Sequence, residues 1–389
     1  MNGKFPKITV WRAIFAAILL SGAYATYLRV RYGLGGATNL SDKFPWGIWI
    51  AFDVMCGVAL AAGGFTLVAM VHIFNIKTYK PVLRPAILTA FLGYSLVVVG
   101  LLYDLGRPDR LWHPLVMWNP HSVMFEVAWC VTLYSTVLFL EFLPVVFEKF
   151  GLHKPLAWIH KISVPLMILG VLLSTLHQSS LGTLFLIVPE KEYPLWYSPL
   201  LPLMFFVSAL GAGLAMTIFE SWHSSRAFGR ALELPLLASM GRVLAVIMSV
   251  YLWIRFLDLA HRGVLGLLLR NRIETWLFLL EIGLMVTPTI LLYQRKIRMR
   301  PGALYACAVM VLFGLVANRL NVGTTGLEAG SGTHYVPKWS EIAITFSIIA
   351  AGFAIFRVVA QYFPVFEAHS HEKASDDVGE TEADPVAVG

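Results

Sequence analysis

The chain has 389 residues, 58% of them hydrophobic and 14% charged, where a soluble domain carries about 25% charged residues. Apolar runs of about 18 or more residues recur along it, long enough to cross a hydrocarbon core of roughly 30 Å, which excludes a soluble enzyme. The formal net charge of +7 is accounted for by Lys and Arg in short loops at lipid headgroups, and no basic stripe with interleaved aromatics argues for nucleic acid.

The pattern predicts an all-α, polytopic membrane protein with ten spans. The first, 9–28, lacks a small-residue cleavage site and reads as a span that is its own insertion signal. After the turn Tyr32-Gly33-Leu34-Gly35-Gly36, the second runs over 46–74 and carries Gly57, Gly63 and Gly64. The third covers 86–104 and stops at Gly106-Arg107-Pro108-Asp109. The fourth, 122–146, holds Glu126 and Glu141, and the fifth, 160–187, holds Ser174 to Gly182. The sixth, 200–222, has Gly211, Gly213 and Glu220; the rest follow at 238–258, 275–293, 303–320 and 340–362, with a long loop expected from Asn321 to Pro337. Short connections make neighbours antiparallel. Residues 1–365 read as one transmembrane domain and 366–389, acidic from Glu367 onward, as a disordered tail.

A weak internal echo relates Phe125-Glu126-Val127 to Leu280-Glu281-Ile282, and Ala62-Gly63-Gly64 to Gly211-Ala212-Gly213. Two four-helix bundles, spans 2–5 and 6–9, with flanking helices would fit, and small residues would let helix backbones approach closely. The loops on one side hold fifteen Lys and Arg against ten on the other, with a dense cluster at Arg295–Arg300. Both termini are therefore expected in the cytoplasm. The opposite loops are rich in Trp and Tyr, which suits interfacial anchoring or the docking of an extracytoplasmic partner.

An ionisable group within the membrane costs several kcal/mol and marks a candidate functional site. Asp53, Asp104, Glu126, His177, Arg255, Asp258, Glu281, Arg319 and Glu341 fall in the outer half of the spans, and His72, Glu141, Glu220 and Arg357 in the inner half. Glu126 and Glu141 share one helix about 22 Å apart and can mark two ends of a proton route; Glu126 can equally be paired with Arg107, and Asp104 can be a helix-end group. The run Ser174-Thr175-Leu176-His177-Gln178-Ser179-Ser180 makes a poor membrane helix unless its polar groups find partners or water. A histidine there can hydrogen-bond a carbonyl oxygen and exchange protons near neutral pH, which suits a quinone. A b-type haem needs two facing histidines at one depth; His177 has no obvious outer partner, while a pair among His72, His160 and His223 is geometrically possible. Cys56, Cys130 and Cys307 each sit in an apolar run without a C-x-x-C pair, against iron–sulfur ligation, structural zinc or c-type haem.

Five stretches together resemble the NrfD/PsrC family of membrane subunits, including its HybB-type members from nickel–iron hydrogenases and the relative in the Hmc cytochrome complex. They are Phe44-Pro45-Trp46-Gly47-Ile48-Trp49-Ile50-Ala51-Phe52-Asp53, Arg84-Pro85-Ala86, Phe91-Leu92-Gly93-Tyr94-Ser95, Ser122-Val123-Met124-Phe125-Glu126, and His177-Gln178-Ser179-Ser180-Leu181-Gly182. The glycines of the Asn321–Pro337 loop look more like the Hmc-type relatives. The resemblance implies a subunit of the bacterial inner membrane, without haem or an iron–sulfur cluster of its own. It would exchange electrons between menaquinone or ubiquinone and a periplasmic ferredoxin-like iron–sulfur subunit, in turn served by hydrogenase subunits or a multihaem cytochrome c. It implies a quinone pocket near the outer face with Tyr94, Asp104, Glu126 and His177 as candidates and Asp53 and Glu220 as further polar positions. Glu126 and His177 are the expected reacting pair, and Glu141 and Glu220 the expected proton route. A passive anchor for a periplasmic complex and a proton- or ion-translocating subunit are the rival readings. The topology is testable: a reporter active only outside the cytoplasm, fused after Gly389, should be silent, and activity would reverse the assigned orientation.

Overall fold

The computed structural model describes residues 9–366; the expected tail, 366–389, lies outside the described residues beyond Phe366. Among the described residues ten helices are long and apolar enough to span a membrane: α1 (Val10–Ala37), α2 (Trp49–Ile73), α3 (Lys77–Asp104), α4 (Val123–Phe150), α5 (His153–Leu186), α6 (Leu201–Ala227), α7 (Leu234–His261), α8 (Ile273–Tyr293), α9 (Pro301–Ser331) and α10 (Trp339–Tyr362). Among the described residues there is no strand, only an isolated bridge between Ser41 and Phe44. The face bearing the loops after α1, α3, α5, α7 and α9 is called outer here, following the charge bias.

α2–α5 pack on one another, as do α6–α9, and α1 pairs with α10 beside α3. This is the expected pair of four-helix bundles with two flanking helices. Lipid tails are as apolar as leucine, so helices associate through close packing and interhelical hydrogen bonds. The bundles meet where α5 packs along α6 and where α2 crosses α6. A Cβ built on Gly213 would stand 2.5 Å from the Gly63 backbone nitrogen, and one on Gly63 would stand 2.9 Å from the Gly213 oxygen. The two glycine segments of the internal echo thus face each other at the α2–α6 crossing.

Three spans differ from expectation. α2 is not one continuous helix: wide π turns occupy Trp49–Val54 and Ala69–Ile73, and between them two short α segments meet at Ala61 and Ala62. It is also the most enclosed span, so neighbouring helices supply the packing that holds these irregular turns. The expected Asn321–Pro337 loop is helical as far as Ser331, because Asn321–Thr325 forms a π turn and Gly326–Ser331 continues as α-helix. The Asn, Gly and Thr residues that read as a loop in a soluble context stay helical where backbone groups lack water. α5 also starts earlier than expected, at His153, since Pro155 falls in its first turn where no N–H is needed.

The outer ends are tied by side chains. Glu341, in the first turn of α10, accepts the backbone N–H groups of Lys338 at 2.8 Å and Asn39 at 3.0 Å, and Tyr335 donates its hydroxyl to the same carboxylate. The loop between α5 and α6 is pulled into the second bundle: Arg255 donates to the Leu195 oxygen at 2.8 Å and Arg262 to the Pro194 oxygen at 2.8 Å, while Leu195, Trp196 and Ser198 are fully enclosed. Bundle two is plugged at its outer end.

Substituting Gly213 by valine should displace α2 from α6 and cost about 1–3 kcal/mol or more, read as a lower thermal midpoint and yield in detergent. Gly283→Ala, where an added Cβ meets nothing within 4 Å, should leave both near wild type; equal behaviour of the two variants would refute the crossing argument.

Candidate functional site

The sequence-predicted residues fall into three places. The first is the interior of bundle one. His177 is completely buried on α5, and its ring lies edge-on to Tyr94 of α3 at 5.4 Å. Tyr94 in turn packs edge-on against Tyr134 of α4 at 4.6 Å. Ser174, one turn before His177, faces both tyrosine hydroxyls. Both His177 ring nitrogens, both tyrosine hydroxyls, Ser174 Oγ, Gln178 Oε1 and Glu141 Oε1 are buried without a well-formed hydrogen bond to protein. Gln178 uses only its Nε2, which donates to the Val58 oxygen of α2 at 3.0 Å. Glu141 lies deeper, facing Gly170. Buried polar atoms are nearly always satisfied, so a column of them from Glu141 to His177 is chemistry that water or a polar ligand must complete. Tyr134 was not among the expected residues. Its spacing from Glu141, seven residues or two turns of one helix face, was the signal that could have found it.

The second place is a lateral cavity of about 490 Å³ outside bundle one, among α2, α3, α6 and α10. Asp53 and Glu220 both line it. Asp53 accepts the Thr345 hydroxyl at 2.8 Å, and Glu220 accepts the Thr89 hydroxyl at 2.6 Å. Thr89 and Thr345 carried no sequence signal of their own, being ordinary hydroxyls in apolar runs.

The third place is the outer rim. Glu126 is exposed in the first turn of α4. It precedes Tyr134, at the level of His177, by eight residues, so it stands about 12 Å nearer the outer end. The expectation that Glu126 and His177 share one depth and a shielded environment is not met in the fold: the structure brings His177 and Tyr94 together and leaves Glu126 exposed in the first turn of α4. Nor does Glu126 pair with Arg107, which forms an exposed ion pair with Asp109 at 2.9 Å. Asp104 closes α3 with Oδ1 buried and unpartnered, while the nearby Arg29 is occupied by the Tyr103 and Leu105 carbonyls.

Bundle two shows the opposite chemistry. Glu281, fully buried, accepts Trp196 Nε1 at 2.9 Å, Asn318 Nδ2 at 2.8 Å and Asn321 Nδ2 at 2.9 Å. Arg319 donates to Asn318 Oδ1 and Ser208 Oγ and lies 3.6 Å over the Phe205 ring. Each carboxylate oxygen of Glu281 has a donor, so this network reads as structural. Among the described residues no group of three His, Cys, Asp or Glu is poised to hold a metal ion.

In the plug over bundle two, Glu192 is buried with neither carboxylate oxygen hydrogen-bonded. Burial pushes its carboxyl well above the usual carboxylate range, with Arg255 opposing. The folded state therefore holds a proton that the unfolded chain releases above about pH 4.3, so stability falls as pH rises through that point. Glu192→Gln should raise the thermal midpoint at pH 8 by about 2 °C or more, with the gain vanishing below about pH 4.3. A gain independent of pH would show that the carboxyl is not held protonated.

Comparison with known proteins agrees with this architecture. The family described as "Polysulphide reductase, NrfD" matches residues 36–328. A protein of Nitratidesulfovibrio vulgaris is 39% identical, covering 96% of this chain and 98% of its own length. The "Probable Ni/Fe-hydrogenase 2 b-type cytochrome subunit" of Escherichia coli is 32% identical over 90% of this chain and 91% of its own. The "Menaquinone reductase, integral membrane subunit" of N. vulgaris is 28% identical over 92% of each. The chain belongs to the NrfD family of integral membrane subunits, whose members serve quinone-interacting oxidoreductase complexes.

Proposed function

We propose that this subunit carries electrons between an extracytoplasmic iron–sulfur or multihaem cytochrome partner and menaquinone or ubiquinone in the bacterial inner membrane. The observation that carries the reading is the unsatisfied polar interior of bundle one. A quinone needs hydrogen-bond donors at its two oxygens and a path for two protons. His177 and Tyr94 are donors with no protein acceptor. Tyr134, Ser174 and Glu141 continue the same column toward the inner side, and Glu126, exposed in the first turn of α4, is free to exchange protons at the outer end of that helix. The ring accepts its hydrogen bonds from His177 and Tyr94, and the column delivers or removes the protons.

The relative that carries a menaquinone reductase name supports quinone as the substrate. The hydrogenase relative is printed as a b-type cytochrome subunit, but the residues here do not suit a haem with two histidine ligands. Of the histidines among the described residues only His177 is buried, and its ring neighbour is Tyr94. The chain is read as haem-free, with electrons reaching the quinone from a partner's centre. A passive anchor would gain nothing from unsatisfied polar groups that each cost free energy in hydrocarbon.

Replacing His177 by alanine, or Tyr94 by phenylalanine, should lower quinone-linked turnover at least tenfold, about 1.4 kcal/mol of barrier. Assembly and electron transfer among the extracytoplasmic subunits should survive. Wild-type quinone turnover in both assembled variants would sink the proposed site, and retained quinone activity after removal of the whole subunit would favour the anchor.

A further inference from the structure

Bundle one leaves the 490 Å³ cavity among α2, α3, α6 and α10 without a task. We propose that it is a second quinone site, taking a neutral isoprenoid quinone with its ring against Glu220 and Thr89 and its tail along α6 and α10; the inference rests on the reading that this subunit handles quinone.

The volume lies within the roughly 300–1,000 Å³ of small-molecule pockets. The walls are apolar, with Leu92, Leu96, Met216, Phe219 and Ile349 prominent, and Phe353, 56% exposed on α10, marks the opening toward lipid. Along α6 the cavity reaches from Met216 to Phe228, about 18 Å, which is longer than a ring and suits a ring with a prenyl tail. Polar groups enter at three points. Glu220 and Thr89, hydrogen-bonded at 2.6 Å, form one, Asp53 lies at the outer end, and His223, Ser224 and Arg357 lie toward the inner end.

The depth of Glu220 separates quinone from phospholipid. It stands seven residues before the inner end of α6 at Ala227, about 10 Å inside. A phosphate at that depth costs several kcal/mol, so a phospholipid would set only its acyl chains against the carboxyl group. A quinone carbonyl is uncharged and accepts a hydrogen bond from a carboxylic acid or a hydroxyl, which meets the need of a polar pair buried among apolar walls.

The cavity is also distinct from the His177 interior. Gly57 and Gly93 line it, while the next residue in each helix faces the other way: Val58 receives the Gln178 amide and Tyr94 meets the His177 ring. The two places stand back to back across the α2–α3 contact. A Cβ built on Gly93 would lie 2.8 Å from that of Ala61, so the wall between them is thin but closed.

The test is photolabelling of the purified complex with an azido-isoprenoid quinone, followed by peptide mapping. The expected result is label on α6 and α10 around the cavity, displaced by unlabelled menaquinone and not by phospholipid. Ile349→Trp, which fills the cavity, should abolish that label, and the near-isosteric Glu220→Gln should reduce it severalfold, while label near His177 persists in both. Label confined to the His177 side, cavity label displaced by phospholipid, or cavity label unchanged in both variants would overturn the second site while leaving the proposed function standing. No quinone label anywhere, with no quinone-linked turnover, would overturn both.

Discussion

Water does not reach into a bilayer to rescue a polar group, so each polar side chain in these ten helices must find a partner within the protein or hold a place for one. The two bundles answer that constraint in opposite ways. In bundle two, Glu281 is met by three donors and Arg319 by acceptors and an aromatic face. In bundle one, His177, Tyr94, Tyr134, Ser174 and Glu141 are gathered and left open. The halves echo each other at the glycines of the α2–α6 crossing, yet the acid at the centre of one half is met by its own donors while the histidine and tyrosines of the other have none.

The same constraint explains the irregular backbone. Wide turns at both ends of α2 and in α9 need neighbours to cover the backbone groups they loosen, and they occur where packing is densest or where the helix carries polar residues. π turns inside helices recur at functional positions. The first of those in α2 contains Asp53, and the one in α9 begins with Asn321, a ligand of Glu281.

The architecture was largely legible because span length is dictated by bilayer thickness, and a run such as Val10–Ala37 or Trp339–Tyr362 has no other reading. What escaped was anything that depends on which side of a helix faces what. α4 is apolar around its circumference, so nothing in the pattern says that Glu126 points away from the core while Tyr134 points into it. The serine-rich polar run around His177 on α5 was legible because its composition is costly in hydrocarbon, and Tyr94 because of its family motif. Thr89 and Thr345 were not, since a threonine in an apolar helix most often bonds its own backbone, as Thr66 and Thr217 do here. The helical continuation through Asn321–Ser331 was missed because Gly, Asn and Thr were weighed with the turn preferences of water-exposed chains.

The three donors to Glu281 are spread along the chain, and chains enter the membrane from the N-terminus onward. When α8 is inserted, Trp196 has already been made, but Asn318 and Asn321 lie one helix further on. The carboxylate is then short of two of its three partners, and α8 is a poor lodger in lipid until α9 arrives. Bundle two is thus closed by its last helix, and a chain truncated between α8 and α9 would present the cell with a buried acid lacking two of its three donors, a ready mark for quality control during biogenesis.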